Sequence, residues 1–349
     1  MVGRLSRQPL PVSVIIVTHD SAALIGPVLE AVEASTPPPA EIIVVDSASG
    51  DATVDLLRDR PVTLIPSTEN VGFARGCHVG VQRATERVVA LLGHDAVPRS
   101  DWLEPLVAAL DEPGVGAAMA TLEDADQPGT FNTSGGHLTY FGLAFLSDHG
   151  VPIPDETGIR DVPFPSGGAM AMRRDVWARF GGFRGDFFMY HEDTDLGWRL
   201  RLAGLRTVRV SASRVLHHYD FGRAPRKMYL LERNRLLMLR TNYRRRTLLV
   251  LTPALVLVEL GTAFVAARDG WLAEKAKAWW DGLGTSVGEA RAAVSELRTV
   301  DDGNLIADMD FRLAGIRQVR PPRGTALIDV LLGWWQRLAL PLVRILERL

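Results

Sequence analysis

Apolar positions along the chain follow two rhythms. Short aliphatic and β-branched runs occur at Val12–Val17, Glu41–Val45, Val62–Ile65, Val88–Leu92 and Val115–Ala120. Between them, Ala22–Ala34, Ala74–Thr85 and Trp102–Leu110 carry apolar residues at helical spacing. Thr36–Pro39 ends the first of these helices, because proline lacks the amide proton a helix needs and clashes with the preceding turn. Strands alternating with helices predict a mostly parallel sheet covered on both faces. Ligands of such sheets sit at the carboxyl ends of the strands, so the residues after each strand carry the candidate chemistry.

After Gly167 the texture changes. Gly168–Met172 reads as a strand, Asp175–Phe180 as a helix, and Gly181–Tyr190 as a loop rich in glycine and aromatic residues. Glu192–Ala203 predicts a helix opened by acids and closed by Gly204, matching the positive start of the helix dipole and glycine's freedom at a helix end. Thr207–Val210 and Val215–His217 predict two short strands. From Arg223 to Arg246 there are nine Lys or Arg against one Glu, a net charge of +8. Leu248–Ala267 follows, with Glu259 as its single charge and Pro253 inside it. Ala326–Leu349 is a second apolar stretch, interrupted by Asp329, Arg337 and Arg344 and centred on Trp334-Trp335.

Leu248–Ala267 is long enough to span a bilayer, but Glu259 near its middle is costly in hydrocarbon unless paired or protonated. Basic and aromatic residues beside amphipathic helices point to attachment at an anionic membrane surface. The competing reading is a helical subdomain whose apolar faces pack on one another or on a second subunit of a homodimer.

Composition narrows the function classes. The 349 residues are 47% hydrophobic and 23% charged, with a net charge of -2. Such a chain folds rather than staying disordered, and it lacks the basic excess of a nucleic-acid binder. The single cysteine, Cys77, excludes a disulfide framework and a multi-cysteine zinc site, and reads as a small buried residue in a reducing compartment. Arg4 and Arg7 precede the apolar run Val14–Val17, which is too short for a signal-peptide core.

The strand ends are polar: Thr18-His19-Asp20, Asp46-Ser47-Ala48-Ser49-Gly50-Asp51, Glu69-Asn70 and Gly93-His94-Asp95. Asp20 and Asp51 read as caps of the helices that follow. Asp46 and Asp95, directly after apolar strands, read as facing a ligand. The glycines at 72, 76 and 80 lack dinucleotide-binding spacing. They serve either close helix packing or a backbone approach to a ligand with Arg75 near phosphate. No phosphate-loop lysine and no serine nucleophile motif is present. What remains is acids and histidines: His94 and Asp95, Glu192-Asp193 with Asp195, and His217-His218. One acid and one imidazole hold Mg²⁺ or Mn²⁺ only when substrate phosphates and water complete the shell. Asp193, beside the aromatic loop, has the surroundings of a general base.

In their order, these segments resemble the inverting glycosyltransferases of family 2, with the GT-A fold, over about Pro11–Arg246. The resemblance rests on Val14-Ile-Ile-Val-Thr-His-Asp20, Val44-Val-Asp-Ser-Ala-Ser-Gly-Asp51, Glu69-Asn-Val-Gly-Phe-Ala-Arg-Gly76, Leu91-Leu-Gly-His-Asp-Ala96, Gly167-Gly168 and Phe188-Met-Tyr-His-Glu-Asp-Thr-Asp-Leu-Gly-Trp198. It implies a nucleotide-sugar site of Thr18, His19, Asp20, Asp46, Ser47, Asn70, Gly72, Arg75, Gly76, His94 and Asp95. It implies Asp193, paired with Glu192, as the catalytic base, and acceptor contacts from Gly167, Gly168, His191 and Trp198. It places a divalent ion, Mg²⁺ or Mn²⁺, on Asp95, with His217 approaching it.

Two positions depart from the family pattern: Gly93 stands where the first acid of the metal motif lies, and Ser47 replaces an acid or amide of the nucleotide turn. A processive signature is not evident, so single-sugar transfer is expected. The texture around Glu232-Arg-Asn-Arg235 is similar to bacterial rhamnosyltransferase-type members. The implied activity moves one sugar, from a dTDP-rhamnose-like or UDP-sugar donor, to a glycan or lipid-linked acceptor of the cell envelope. The place is the cytoplasmic face of the plasma membrane. The alternative is a catalytically weak sugar-nucleotide binding or scaffold protein of the same fold. The expected organisation is a catalytic domain over 1–223, with a nucleotide-sugar half at about 11–120 and an acceptor half at about 121–223. A basic and apolar helical region follows at 224–349.

Overall fold

The computed structural model describes residues 8–219, 222, 224–313 and 325–348. Arg4, Arg7 and Arg223 lie outside them. The chain runs β1 (Leu10–Thr18), α1 (Ile25–Glu33), β2 (Pro39–Asp46), α2 (Thr53–Leu57), β3 (Thr63–Pro66), α3 (Gly72–Arg83), β4 (Val88–Gly93), β5 (Ala96–Pro98), α4 (Leu103–Ala108) and β6 (Val115–Asp124). Four short strands follow: β7 (Phe131–Thr133), β8 (Gly136–Leu138), β9 (Ala144–Leu146) and β10 (Ile159–Asp161). Then come β11 (Ala169–Arg173), α5 (Arg174–Phe180), α6 (Glu192–Leu202) and β12 (Arg206–His217). β12 is one strand where the pattern predicted two. A register shift against β6 between Val210 and Arg214 is the irregularity that breaks its apolar alternation.

The main sheet has the order β10-β12-β6-β11-β4-β1-β2-β3, with β5 on β12 and β7 on β6. β1 pairs in parallel with β2 and β4, and β2 with β3. β11 is antiparallel to both β4 and β6. It re-enters the sheet at the edge where β6 leaves it, and so runs back between two strands of the opposite sense. The α/β class holds, with a mixed rather than mostly parallel sheet. Val12, Val14, Ile16, Leu91 and Leu92 are among the buried aliphatic residues at its centre. α3 presses on β1 through glycine. A Cβ at Gly76 would stand 2.5 Å from Val17 Cγ1, and one at Gly80 would stand 2.4 Å from Ile15 Cγ2. At those two positions the small residues serve packing.

The chain divides into two compact units. The first is Met1–Gly136, Leu146–Gly197 and Leu205–Asp220, and it holds the main sheet. The second is His137–Phe145, Trp198–Gly204 and Phe221–Leu349. It contains α7 (Pro225–Asn242), α8 (Arg245–Arg268), α9 (Leu272–Gly284), α10 (Gly288–Leu297), α11 (Asp302–Asp308) and α12 (Thr325–Glu347). The expected boundary at 223 is therefore not a single cut. Two earlier segments join the helical unit because they supply its core with Tyr140, Phe141 and Trp198, all fully buried. Tyr243 donates its hydroxyl to the Tyr140 carbonyl at 2.8 Å, and Tyr140 donates to the Leu332 carbonyl at 2.9 Å.

Glu259 is paired inside this second unit. Lys275 Nζ lies 2.7 Å from Glu259 Oε2 and 2.5 Å from Glu232 Oε2. Arg235 contacts Glu232 at 3.0 Å and also reaches Glu259. Trp279 Nε1 donates to Glu259 Oε2 at 2.5 Å. Burial alone would raise the Glu259 pKa, but Arg235 and Lys275 hold it down at about 2.

Candidate active site

Parallel register sets Thr18 opposite Asp46 and Val17 opposite Gly93, so three strand ends meet at one edge of the sheet. The first two turns are tied together there. Ser47 N–H donates to the Thr18 carbonyl at 2.8 Å, and His19 Nδ1 lies 2.8 Å from the Ser47 carbonyl oxygen. That contact places the proton on Nδ1, and Nε2 stands 3.5 Å from Asp20 Oδ2. Asp20, at φ +48°, accepts the Gly50 N–H at 2.7 Å and donates its own N–H to Ser49 Oγ at 2.9 Å.

Asp46 accepts the Ser49 N–H at 3.0 Å and the Ser49 hydroxyl at 2.5 Å. Ser47 Oγ accepts the Val71 N–H at 2.8 Å and donates to Asn70 Oδ1 at 3.2 Å, which also takes the Gly72 N–H at 3.0 Å. Thr18, Asp46 and Ser47 are each at most 2% exposed. Asp46 and Ser47 tie the strand-end turns together, Gly76 packs on Val17, and the Thr18 hydroxyl has no hydrogen-bond partner among the described residues. The side chains turned to solvent are His19, Asp20 and Arg75.

Two further groups flank a glycine turn. Asp95 Oδ1 stands 3.5 Å from His217 Nε2, and His217 Nδ1 stands 3.0 Å from Asn132 Oδ1. Gly93 N–H donates to the Gly168 carbonyl at 2.9 Å, and a Cβ at Gly168 would lie 3.2 Å from His217 Nε2. On the other side, Gly167 N–H donates to Asp193 Oδ2 at 3.0 Å, and Thr194 N–H donates to Oδ1 at 2.6 Å. Gly167-Gly168 thus separates the Asp193 carboxylate from the Asp95–His217 pair within one site. His94 neighbours the pair in sequence and its charge bears on Asp95.

Burial raises the Asp193 pKa, and its hydrogen bonds to Gly167 and Thr194 offset that only in part. Glu192 is pushed further up, first by burial and then by the charge of Asp193, and its Oε2 has no hydrogen-bond partner. Of the two, Asp193 is the one whose carboxylate is held by backbone amides. The residues before them are strained. Phe188, Tyr190 and His191 have φ of +66°, +69° and +66°. Phe188 centres a tight γ-turn, with Met189 N–H donating to the Phe187 carbonyl at 2.8 Å. Strain of this kind, about 1–3 kcal/mol per residue, persists only where surroundings over-determine it. Here Ala74 N–H donates to the Phe188 carbonyl at 3.0 Å, and Gly72 (φ +76°) has no room for a Cβ, which would stand 2.5 Å from Phe188 Cδ2.

The sequence model of the family described as Glycosyl transferase family 2 matches residues 13–180. An N-acetylglucosaminyl-diphospho-decaprenol L-rhamnosyltransferase of Mycobacterium tuberculosis is 28% identical over 251 residues, covering 61% of this chain and 78% of that protein. The chain carries a family 2 glycosyltransferase domain. Among solved structures, GalNAc-T7 with UDP, GalNAc and Mn²⁺ has a TM-score of 0.61 at 15% identity, over 85% of this chain and 57% of that one. The mannosyltransferase PcManGT of Pyrobaculum calidifontis, in complex with GDP-Man and Mn²⁺, has a TM-score of 0.50 at 19% identity, over 94% and 89%. These likenesses show the GT-A fold. The protein is a glycosyltransferase that resembles the rhamnosyltransferases of the family.

One expected acceptor residue of the glycosyltransferase is corrected. Trp198 is fully buried, its ring edge-on to Tyr243 at 4.8 Å. It follows Asp193 by five residues, which turns it about 140° around α6 from that carboxylate. His191 is also buried, and its carbonyl accepts the Asp195 N–H at 2.8 Å. Asn132, on β7, escaped the sequence reading. It is 2% exposed and fixes the His217 ring from 85 residues away, a distance no spacing rule covers. Among the described residues, no three His, Cys, Asp or Glu side chains converge into a complete metal cage.

Gly93 has a steric reason in this glycosyltransferase. A Cβ there would stand 2.5 Å from Asp95 Oδ1, so any side chain displaces Asp95 from His217. Gly93→Asp, which restores the family's first acid, is therefore expected to lower turnover by about tenfold or more. Initial rates across a Mn²⁺ titration test this; a gain in rate would show that the position accepts the acid.

Proposed function

We propose that this enzyme transfers a single sugar, with inversion, from a nucleotide-diphosphate sugar to a hydroxyl of a glycan or lipid-linked acceptor in bacterial cell-envelope or polysaccharide synthesis. The reading that carries furthest is a dTDP-rhamnose-like donor, with a UDP-sugar second. The supporting observation is the Gly167-Gly168 turn, with a buried carboxylate of raised pKa on one side and the Asp95–His217 pair on the other. The name of the mycobacterial relative, a rhamnosyltransferase whose acceptor carries a polyprenyl diphosphate, supports the donor and acceptor classes.

In this mechanism Asp193 accepts the proton of the acceptor hydroxyl as the oxygen attacks the anomeric carbon. The bond from that carbon to the diphosphate breaks on the opposite face, so configuration inverts and no covalent enzyme intermediate forms. Gly167 N–H and Thr194 N–H hold the carboxylate in place for the attack. Asp95 and His217 would hold a divalent ion, Mg²⁺ or Mn²⁺, with phosphate oxygens completing the shell. Their geometry fits one. A carboxylate oxygen and an imidazole nitrogen stand 3.5 Å apart there, and Asn132 fixes the ring through its other nitrogen, a donor set that would suit such an ion. When bound, the ion stabilises the charge that develops on the leaving diphosphate. His19, Asp20 and Arg75 are assigned to the nucleotide, and Gly167, Gly168 and His191 to the acceptor side. The site of action is the cytoplasmic face of an anionic membrane, reached through the helical unit.

Thermal denaturation with nucleoside diphosphates and nucleotide sugars, each with and without Mg²⁺ or Mn²⁺, tests the donor site. Ligands that bind the native state raise its melting temperature. The expected result is a shift with one base series that grows with the metal. No shift with any of them would favour the scaffold alternative, which Gly93 in the metal motif makes specific.

A further inference from the structure

α8 and α12 turn their apolar sides outward. On α8 the exposed residues Leu249, Val256, Leu260 and Phe264 recur along one face. From Leu249 to Ala267, about 27 Å of helix, every exposed position is uncharged. Arg245 and Arg246 precede that stretch and Arg268 follows it, all exposed. A helix at a protein–water boundary normally shows the reverse pattern. The one charge within that stretch, Glu259, is held inward by Arg235, Lys275 and Trp279. α12 packs beside α8 and repeats the arrangement, with Leu327, Val330, Trp334, Leu338, Leu342 and Ile345 exposed in a stripe. Arg337 and Arg344 are exposed on the same helix.

By length and composition both helices qualify as membrane spans. Their packing argues otherwise. A spanning α8 would carry the adjoining α12 with it and sink the exposed Arg337, at the middle of that helix, into hydrocarbon. α8 is also fixed to α7 and α9 by the buried ion network, and α9 exposes Lys277 beside Trp280. Arginines bordering an uncharged stripe, with an exposed tryptophan in its neighbour, match the headgroup boundary instead.

We propose that α8 and α12 together form a monotopic anchor that lies in the plane of an anionic lipid leaflet, its apolar stripes sunk to the boundary between headgroups and acyl chains. The inference rests on the membrane-surface part of the proposed function and assigns the surface and its orientation. The basic residues at the ends of α8 and along α12 select anionic over zwitterionic lipid.

Single cysteines at exposed sites, Leu249→Cys, Val256→Cys and Phe264→Cys, accept an environment-sensitive fluorophore while fully buried Cys77 stays unlabelled. Each labelled full-length protein is added to preformed vesicles of phosphatidylglycerol or phosphatidylcholine. The vesicles contain lipids spin-labelled either near the headgroup or near the chain end. The expected result is equal quenching of all three positions by the shallow label, on phosphatidylglycerol only, and weaker as salt rises. Quenching of Val256 by the deep label with shallow ends would overturn the in-plane geometry in favour of a span. Fluorophore burial that tracks protein concentration without lipid quenching would overturn it in favour of a second copy of this chain. Transfer to a soluble acceptor, measured on the same samples, reports on the transferase reading separately: normal turnover without lipid quenching sinks the anchor alone.

Discussion

Asp193→Asn is expected to lower kcat by about a hundred- to ten-thousand-fold while the nucleotide-induced rise in melting temperature persists. The lower figure is the contribution of a modest general base, the upper that of a well-matched one. The substitution keeps the shape of the side chain, so substrate binding is preserved while the proton has no acceptor. It also leaves one of the two amide donors, Gly167 N–H or Thr194 N–H, without a carboxylate oxygen. The melting temperature of the free variant should therefore fall slightly. The pH profile gives an independent check. A base works only when ionised, and burial raises the Asp193 pKa. The acid limb of kcat in the wild type should lie above the range of an ordinary aspartate, and the residual rate of the variant should lack that limb. A variant that turns over at the wild-type rate removes Asp193 from the role.

Arg235→Leu is expected to cost about 3–5 kcal/mol of stability, the penalty of stranding a buried charge whose partner has been removed. Arg235 is 1% exposed and answers Glu232, Glu259 and the Phe141 carbonyl at once. Without it, two carboxylates share Lys275 alone, and the helical unit buries a net negative charge. Denaturant titration reads the loss; a change under about 1 kcal/mol would mean that water reaches the network. The pH sign follows from Glu259. Its folded pKa is lowered to about 2, so it contributes stability above its unfolded pKa of about 4.3. That contribution is lost as pH falls through about 2. The variant should therefore show a shallower acid dependence than the wild type.

Apart from α2 and β5, the alternation of strands and helices up to β6 was legible because each element carries its own period. β7, β8, β9 and β10 were not, since strands of three residues are fixed by their partners rather than by their own spacing. The antiparallel sense of β11 was equally invisible: a run such as Ala169–Arg173 states that it is buried but not which way it points. Within the site, the acids were legible as types while their duties were not. Asp46 and Ser47 look like ligand contacts because they follow a strand. Only the geometry shows both spent on Ser49, Asn70 and Val71. Trp198 illustrates the opposite case, an aromatic close to Glu192-Asp193 in sequence that the turn of a helix takes elsewhere. Glu259 was marked as a charge needing a partner, and the partners came from Arg235 and Lys275 on two other helices.

Cys77 belongs to α3, the helix that begins at the Gly72–Phe188 contact, and it is fully buried. Burial, and after it the charge of Glu192, pushes its thiol pKa far up. A thiol reagent reaches it only when the packing around it opens, and the chain has no other cysteine to compete. The rate at which the native enzyme takes up such a reagent is thus a clock for openings that reach α3. Because that helix also holds the strained turn ahead of Asp193, the same clock times the moments when that turn loses its support.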